Sequence, residues 1–101
     1  MARKILSITI AGAGIRYVEQ DCVDVVMTLN DGQRFAATFT TLPYLRNLFT
    51  KNATTGECCA GAYLWIAHLI IVRQLSRHSI QQSLSDLLVK GEHERCMEHL
   101  P

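Results

Sequence analysis

The chain has 101 residues and a mass of 11.3 kDa, and 49% hydrophobic with 19% charged residues describes an ordinary globular sequence. Six glycines and two prolines exclude collagen-like and low-complexity classes. The net charge of +1 is evenly spread, with five basic and four acidic groups in residues 1–50 and five of each in residues 51–101, so no charge asymmetry points to nucleic acid or a membrane surface. By surface scaling the chain can bury about 65% of its unfolded surface, enough for one core, and residues 1–101 are read as a single domain.

In chain order, Ile5-Leu6-Ser7-Ile8-Thr9-Ile10 alternates as a strand does, and that alternation separates it from the unbroken apolar stretch of a signal peptide. Ala11-Gly12-Ala13-Gly14 reads as a turn into a weaker strand at 15–19. A dinucleotide-binding loop is not implied, because Tyr17 stands where a third glycine would be and no helix pattern follows to receive a phosphate.

The firmest local pattern follows. Val23, Val25, Met27 and Leu29 alternate with Asp24, Val26 and Thr28, and beyond Asp31-Gly32 the residues Phe35, Ala37 and Phe39 alternate with Arg34, Ala36 and Thr38. Two period-two runs about an Asp-Gly pair predict a hairpin with a two-residue turn and one apolar face. Thr41 is a suitable N-cap with Pro43 just inside a helix whose Leu42, Leu45, Leu48 and Phe49 recur at helical spacing. Residues 50–61 show no period and read as a loop, the Asn52-Ala53-Thr54 sequon included. The longest apolar run, Tyr63 to Val72, is half the length of a membrane span and, with Trp65, Ile66 and Ile70-Ile71-Val72, favours a buried strand over a helix. Ser76, or Ser79 with Gln82, starts a helix with the stripe Ile80, Leu84, Leu87 and Leu88, ended by Gly91. A short terminal helix turns Cys96, Met97 and Leu100 inward. Strands early and helices late predict an α+β fold, with helices on one face of a mainly antiparallel sheet.

No set of residues converges convincingly on chemistry. Glu57-Cys58-Cys59 between Gly56 and Gly61 could present a nucleophilic thiol with His68 or His78 as base, but the neighbouring carboxylate opposes a thiolate. His93, Cys96 and His99, three apart on a helix, would spread their outer members by about 120° around the axis and do not form a tetrahedral metal site. The four cysteines, two of them adjacent, read as reduced thiols of a cytoplasmic protein. The expectation is a non-enzyme without metal or cofactor, acting through a protein surface. The acids Glu19, Asp21, Asp24 and Glu57 fall in predicted turns and loops where they would steer a basic partner, with Tyr63 as an anchor.

Across residues 23–100 the order of features resembles a known group. They are the Val-rich strand, Asp31-Gly32, Phe39-Thr40-Thr41, Thr55-Gly56-Glu57-Cys58, Gly61 with Tyr63 and Trp65, Leu69-Ile70-Ile71-Val72, Leu75-Ser76, Leu87-Leu88 and Gly91-Glu92. The pattern is similar to that of small bacterial immunity proteins, the partners of polymorphic and contact-dependent growth-inhibition toxins. The resemblance implies a cytoplasmic protein that binds one cognate toxin domain and blocks its active site. A nuclease toxin fits the acids above, since nucleases are basic where they hold phosphates. The competing expectation is a small thiol-dependent enzyme or ligand-binding domain centred on Glu57-Cys58-Cys59.

Overall fold

The computed structural model describes residues 3–11 and 21–101; all but Ala11 of the predicted turn at 11–14, the weaker strand at 15–19 and Glu19 lie outside the described residues. Strands β1 (Ile5–Ile10), β2 (Cys22–Leu29) and β3 (Arg34–Thr40) lead into helices α1 (Leu42–Thr55) and α2 (Glu57–Gly61). They are followed by β4 (Leu69–Ile71), α3 (Arg77–Lys90), α4 (His93–Cys96) and β5 (Glu98–Leu100). The fold is α+β, built on one open sheet. β1 pairs antiparallel with β2, and β2 with β3. The far side of β3 is shared: β4 runs parallel along Thr38–Thr40 and β5 antiparallel along Arg34–Ala36, so two three-residue strands make one edge.

The β2–β3 hairpin places Val23, Val25, Met27, Leu29, Phe35, Ala37 and Phe39 on one face, and all seven are buried. Period two is a strong constraint here, since a one-residue slip would turn the whole set to solvent. The turn differs from expectation. Leu29 N–H donates to Gln33 O and Gly32 N–H to Leu29 O, which leaves a three-residue loop, Asn30–Gly32, in which Gly32 alone has a left-handed φ of 89°. This is a turn closed by a glycine bulge, and its extra residue is held by Asp31 Oδ1 accepting from Gln33 N–H at 3.0 Å.

Helix α3 covers the apolar face. Ile80 and Leu84 are fully buried with Leu75 and Met97 against the hairpin, and Ile5, Ile8 and Ile10 of β1 pack at the margin. Its ends follow local chemistry: the Ser76 hydroxyl accepts from Ser79 N–H at 3.0 Å, and Gly91 (φ 71°) donates to Leu87 and Leu88 carbonyls. The terminal segment corrects the sequence reading. Only His93–Cys96 is helical, after which Glu98–Leu100 pairs with β3, so His99 stacks on Phe35 (4.8 Å between centroids) while buried His93 meets the same ring edge-on (4.9 Å).

The other departures fall in 42–72. α1 does not stop near Phe49; it runs to Thr55, through the stretch read as loop, and Asn52 within it is 2% exposed. Tyr63–Val72 is not one strand. Residues 63–66 have no regular structure, His68 takes a left-handed φ of 52°, and only Leu69–Ile71 is extended. α1 packs chiefly on α2, and its buried Leu45 lies outside the core cluster. The pair forms an arm, in keeping with dimensions of 50 × 23 × 23 Å and a radius of gyration of 14.7 Å, against about 13 Å for a compact chain of this length.

Candidate protein-interaction surface

The arm is shaped by backbone geometry rather than by a core. Gly56 (φ 85°) ends α1 with its N–H on Asn52 O at 2.9 Å. The chain then makes a left-handed turn in which Cys58, Cys59 and Ala60 have φ of 51°, 52° and 57°. Each such residue costs about 1–2 kcal/mol relative to a right-handed one. The turn closes at Gly61, whose backbone lies so near α1 that a Cβ there would sit 2.8 Å from Phe49 O and 3.0 Å from Ala53 N. Only glycine meets both demands, a positive φ and the close approach.

Beyond this turn the chain exposes what the sequence pattern placed in a core. Trp65 is 78% exposed, and Leu42, Phe49, Tyr63 and Ile71 also have large exposed areas. Outside Leu42–Ile71, the only large hydrophobics so exposed among the described residues are Leu6 and Val89. Leu42 and Ile71 line one apolar groove of about 380 Å³ at the base of the arm, with Pro43, Val72 and Arg73. Trp65, Leu42, Phe49, Tyr63 and Ile71 all fall within one stretch of the chain, 42–71.

The expected acids are not brought to one place. Asp24 stands on the uncovered face of the sheet, where its Oδ1 accepts from the Thr38 hydroxyl at 2.9 Å. Asp21, at the entry to β2, accepts through its backbone oxygen from the Thr40 hydroxyl and through Oδ1 from Cys22 N–H, both at 2.8 Å. Glu57 is exposed at the start of α2, and Tyr63 follows α2. Glu57 is therefore set off from Asp21 and Asp24 by α1, which at 1.5 Å per residue is about 21 Å long. Two residues outside the expected contact set do join Asp24. At the break between β4 and β5, His68 and Glu98 share with Asp24 and Thr38 a cleft of about 400 Å³, and His68 O accepts from Thr38 N–H at 3.0 Å. Strands of three residues carry too short a period to announce that register.

The four thiols fall at three places in the fold: Cys22 on β2, Cys58 and Cys59 on α2, and Cys96 on α4. Burial pushes the Cys22 thiol up, and the Asp24 and Asp21 charges add to this against a lowering hydrogen bond from Thr40. Cys96 is likewise raised, chiefly by burial. The Tyr44 hydroxyl is raised too, by burial first and then by the nearby Cys22 and Asp21 charges. Cys58 and Cys59 are unbonded, and His68, proposed as their base, belongs to the cleft around Asp24 and Glu98. Among the described residues no group of three or more His, Cys, Asp or Glu side chains could hold a metal ion, and no helix is long and apolar enough to cross a membrane.

Compared with protein-family models, curated proteins and solved structures, the chain matches none.

Proposed function

We propose that this chain is a non-enzymatic binding protein that recognises a protein partner with its α1–α2 arm, and that the partner is a bacterial toxin domain whose active site it covers. The observation that carries the binding role is Trp65, 78% exposed with Tyr63 in the segment that follows the arm, while the arm itself presents Phe49. Leaving a tryptophan in water forfeits roughly 1.5–3 kcal/mol of burial, which a docked partner would recover. Tryptophan and tyrosine are also the side chains that most often dominate an interface. The toxin as partner rests on the resemblance of residues 23–100 to immunity proteins. Asp21, Asp24 and Glu98 supply acids near the base of the arm and on the open sheet face for a basic domain, where they would act mainly on the rate of encounter.

The test is growth rescue in bacteria. Cells expressing the toxin domain encoded beside this chain survive when the chain is co-expressed and die with its Trp65→Ala variant, while the two proteins co-elute one-to-one on gel filtration. Equal death with and without the wild-type chain, and no complex, would end this reading.

The left-handed turn at Cys58–Ala60 supports a second reading, since backbone strain concentrates at ligand and active sites. In that reading Cys58 and Cys59 bind or transform a thiol-reactive ligand. A Cys58→Ser, Cys59→Ser double variant that still rescues growth removes it.

A further inference from the structure

The edge of the sheet remote from the arm carries a second feature. β1 is an edge strand with partners on one side alone among the described residues. Ala11 N–H donates to Asp24 O at 2.9 Å, and in an antiparallel ladder bonded and unbonded positions alternate. Thr9 and Ser7 thus face β2, whereas Ile8 and Ile10 direct their N–H and C=O groups outward. Beside this edge runs a trough of about 450 Å³, floored by Lys4–Ile8 and walled by the flank of α3. Four features converge in it.

The first is the hydrogen bond from Arg77 Nη2 to Ile8 O at 3.0 Å. Arg77 is exposed, and its side chain stands where the N–H of an added strand would stand. Second, the lining includes Arg3, Lys4 and Arg77 and no carboxylate. Arg3 is engaged by Glu94 at 3.2 Å and Asp31 at 3.8 Å, but Lys4 and Arg77 make no ion pair among the described residues. Third, Leu6, pushed out by the register shift between Ile5 and Ser7, is 70% exposed, and Val89 on the α3 wall is 86% exposed. Fourth, a second hollow of about 530 Å³ that shares Arg3, Leu88 and Val89 continues the trough toward His93, which is 2% exposed and whose Nδ1 has no hydrogen-bond partner among the described residues.

We propose that this trough binds an extended acidic peptide that adds to the sheet alongside β1. The peptide's N–H groups replace Arg77 on Ile8 O, and its carbonyls accept from the outward Ile8 and Ile10 N–H groups. One set of alternate side chains, apolar, lies against Leu6, Leu88 and Val89, and a carboxylate meets the released Arg77 and Lys4. Main-chain bonds then give affinity and the alternating pockets give selectivity. The charges choose acidic over basic peptides and disfavour a second copy of the chain, which would set one β1 edge, with its Lys4 and Arg77, against another.

The probes are two acetylated, amidated octapeptides, one alternating valine with glutamate and one alternating valine with lysine. Binding is read by fluorescence anisotropy, and the Ile8 and Ile10 amides by hydrogen exchange. The glutamate peptide is expected to bind and slow exchange at both amides, and the lysine peptide to bind at least ten-fold more weakly. Arg77→Glu, a substitution that suits the first turn of a helix and leaves the fold intact, should weaken the glutamate peptide at least ten-fold; Val89→Asp should also weaken it. Failure of the glutamate peptide to bind, unchanged binding to Arg77→Glu, or binding without protection of Ile8 and Ile10 would each overturn the proposal. So would protection of these amides that rises with protein concentration alone, which would give the edge to a second copy.

Discussion

The two halves of the molecule handle their hydrophobic residues in opposite ways. In the layer of β1, β2, β3 and α3, side chains of period two meet side chains of period 3.6, and eleven residues form a closed apolar cluster. In the arm, α1 buries Leu45 and Asn52 only, the Asn52 Oδ1 has no partner among the described residues, and three consecutive non-glycine residues are held left-handed. Yet the arm and the segment after it hold five of the seven exposed large hydrophobics among the described residues. The difference teaches where stability and recognition are divided. The closed cluster lies in the sheet layer, while Trp65, in the segment after the arm, stays in solvent.

That contrast can be broken most forcefully from the sheet side. Phe39 is fully buried at the centre of the cluster, and Phe39→Ala should cost about 3–5 kcal/mol, lowering the urea midpoint of the whole chain in one transition. A second transition that survives unchanged would mean that the arm folds independently of the layer. From the arm side the sharpest change is Gly61→Ala. The new Cβ meets rigid backbone at Phe49 O in a residue already at φ 84°, so a loss of about 1–3 kcal/mol is expected. Its signature is local: hydrogen exchange should accelerate through 42–61 while the amides of β2 and β3 keep their protection. Equal acceleration in both regions would show that the arm and the layer open as one unit.

Smaller changes refine the comparison. Replacing Asn52 by Leu removes an oxygen buried without a partner, and the arm should become more stable by up to about 1 kcal/mol, seen as slower exchange at the amides of α1. A loss instead would show that the amide serves a bond formed in solution. The junction of the halves should respond to alkali. Cys22 and Cys96 have folded-state thiols raised by burial, and Tyr44 is raised in the same sense. A raised group keeps its proton longer in the folded state than in the unfolded one. Stability is therefore complete below the ordinary thiol value of 9.0 and falls as pH rises through the folded-state values. A Cys22→Ala, Cys96→Ala double variant should flatten the fall in denaturant midpoint between pH 8 and pH 10; an unchanged slope would assign it to Tyr44 or to lysines.

The same division governs what could be read from the sequence. The apolar face of the β2–β3 hairpin, the Ser76 cap and the Gly91 stop were legible, because each rests on residues within a few positions of one another. The shared edge of β4 and β5 was not, since three residues cannot display a period, and Tyr63–Ile66 resembles core in every respect except where the chain places it. Asn52 and the left-handed turn were hidden for a related reason. Polar, aperiodic residues 50–61 read as loop until α2 is seen to dock on α1 through Gly61. Of the acids selected, Asp24 gained company in His68 and Glu98 by strand pairing alone.

The central claim, that the arm recognises and the layer supports, is tested most directly by measuring stability and binding on one variant. In Trp65→Ala the unfolding free energy should stay within about 0.5 kcal/mol of wild type, because the side chain is 78% exposed. Affinity for the toxin domain that supports growth rescue should fall by about thirty-fold or more, equivalent to the roughly 2 kcal/mol of an interface hot spot. A variant that binds as tightly as wild type, or one that loses binding only because it unfolds, would contradict the account.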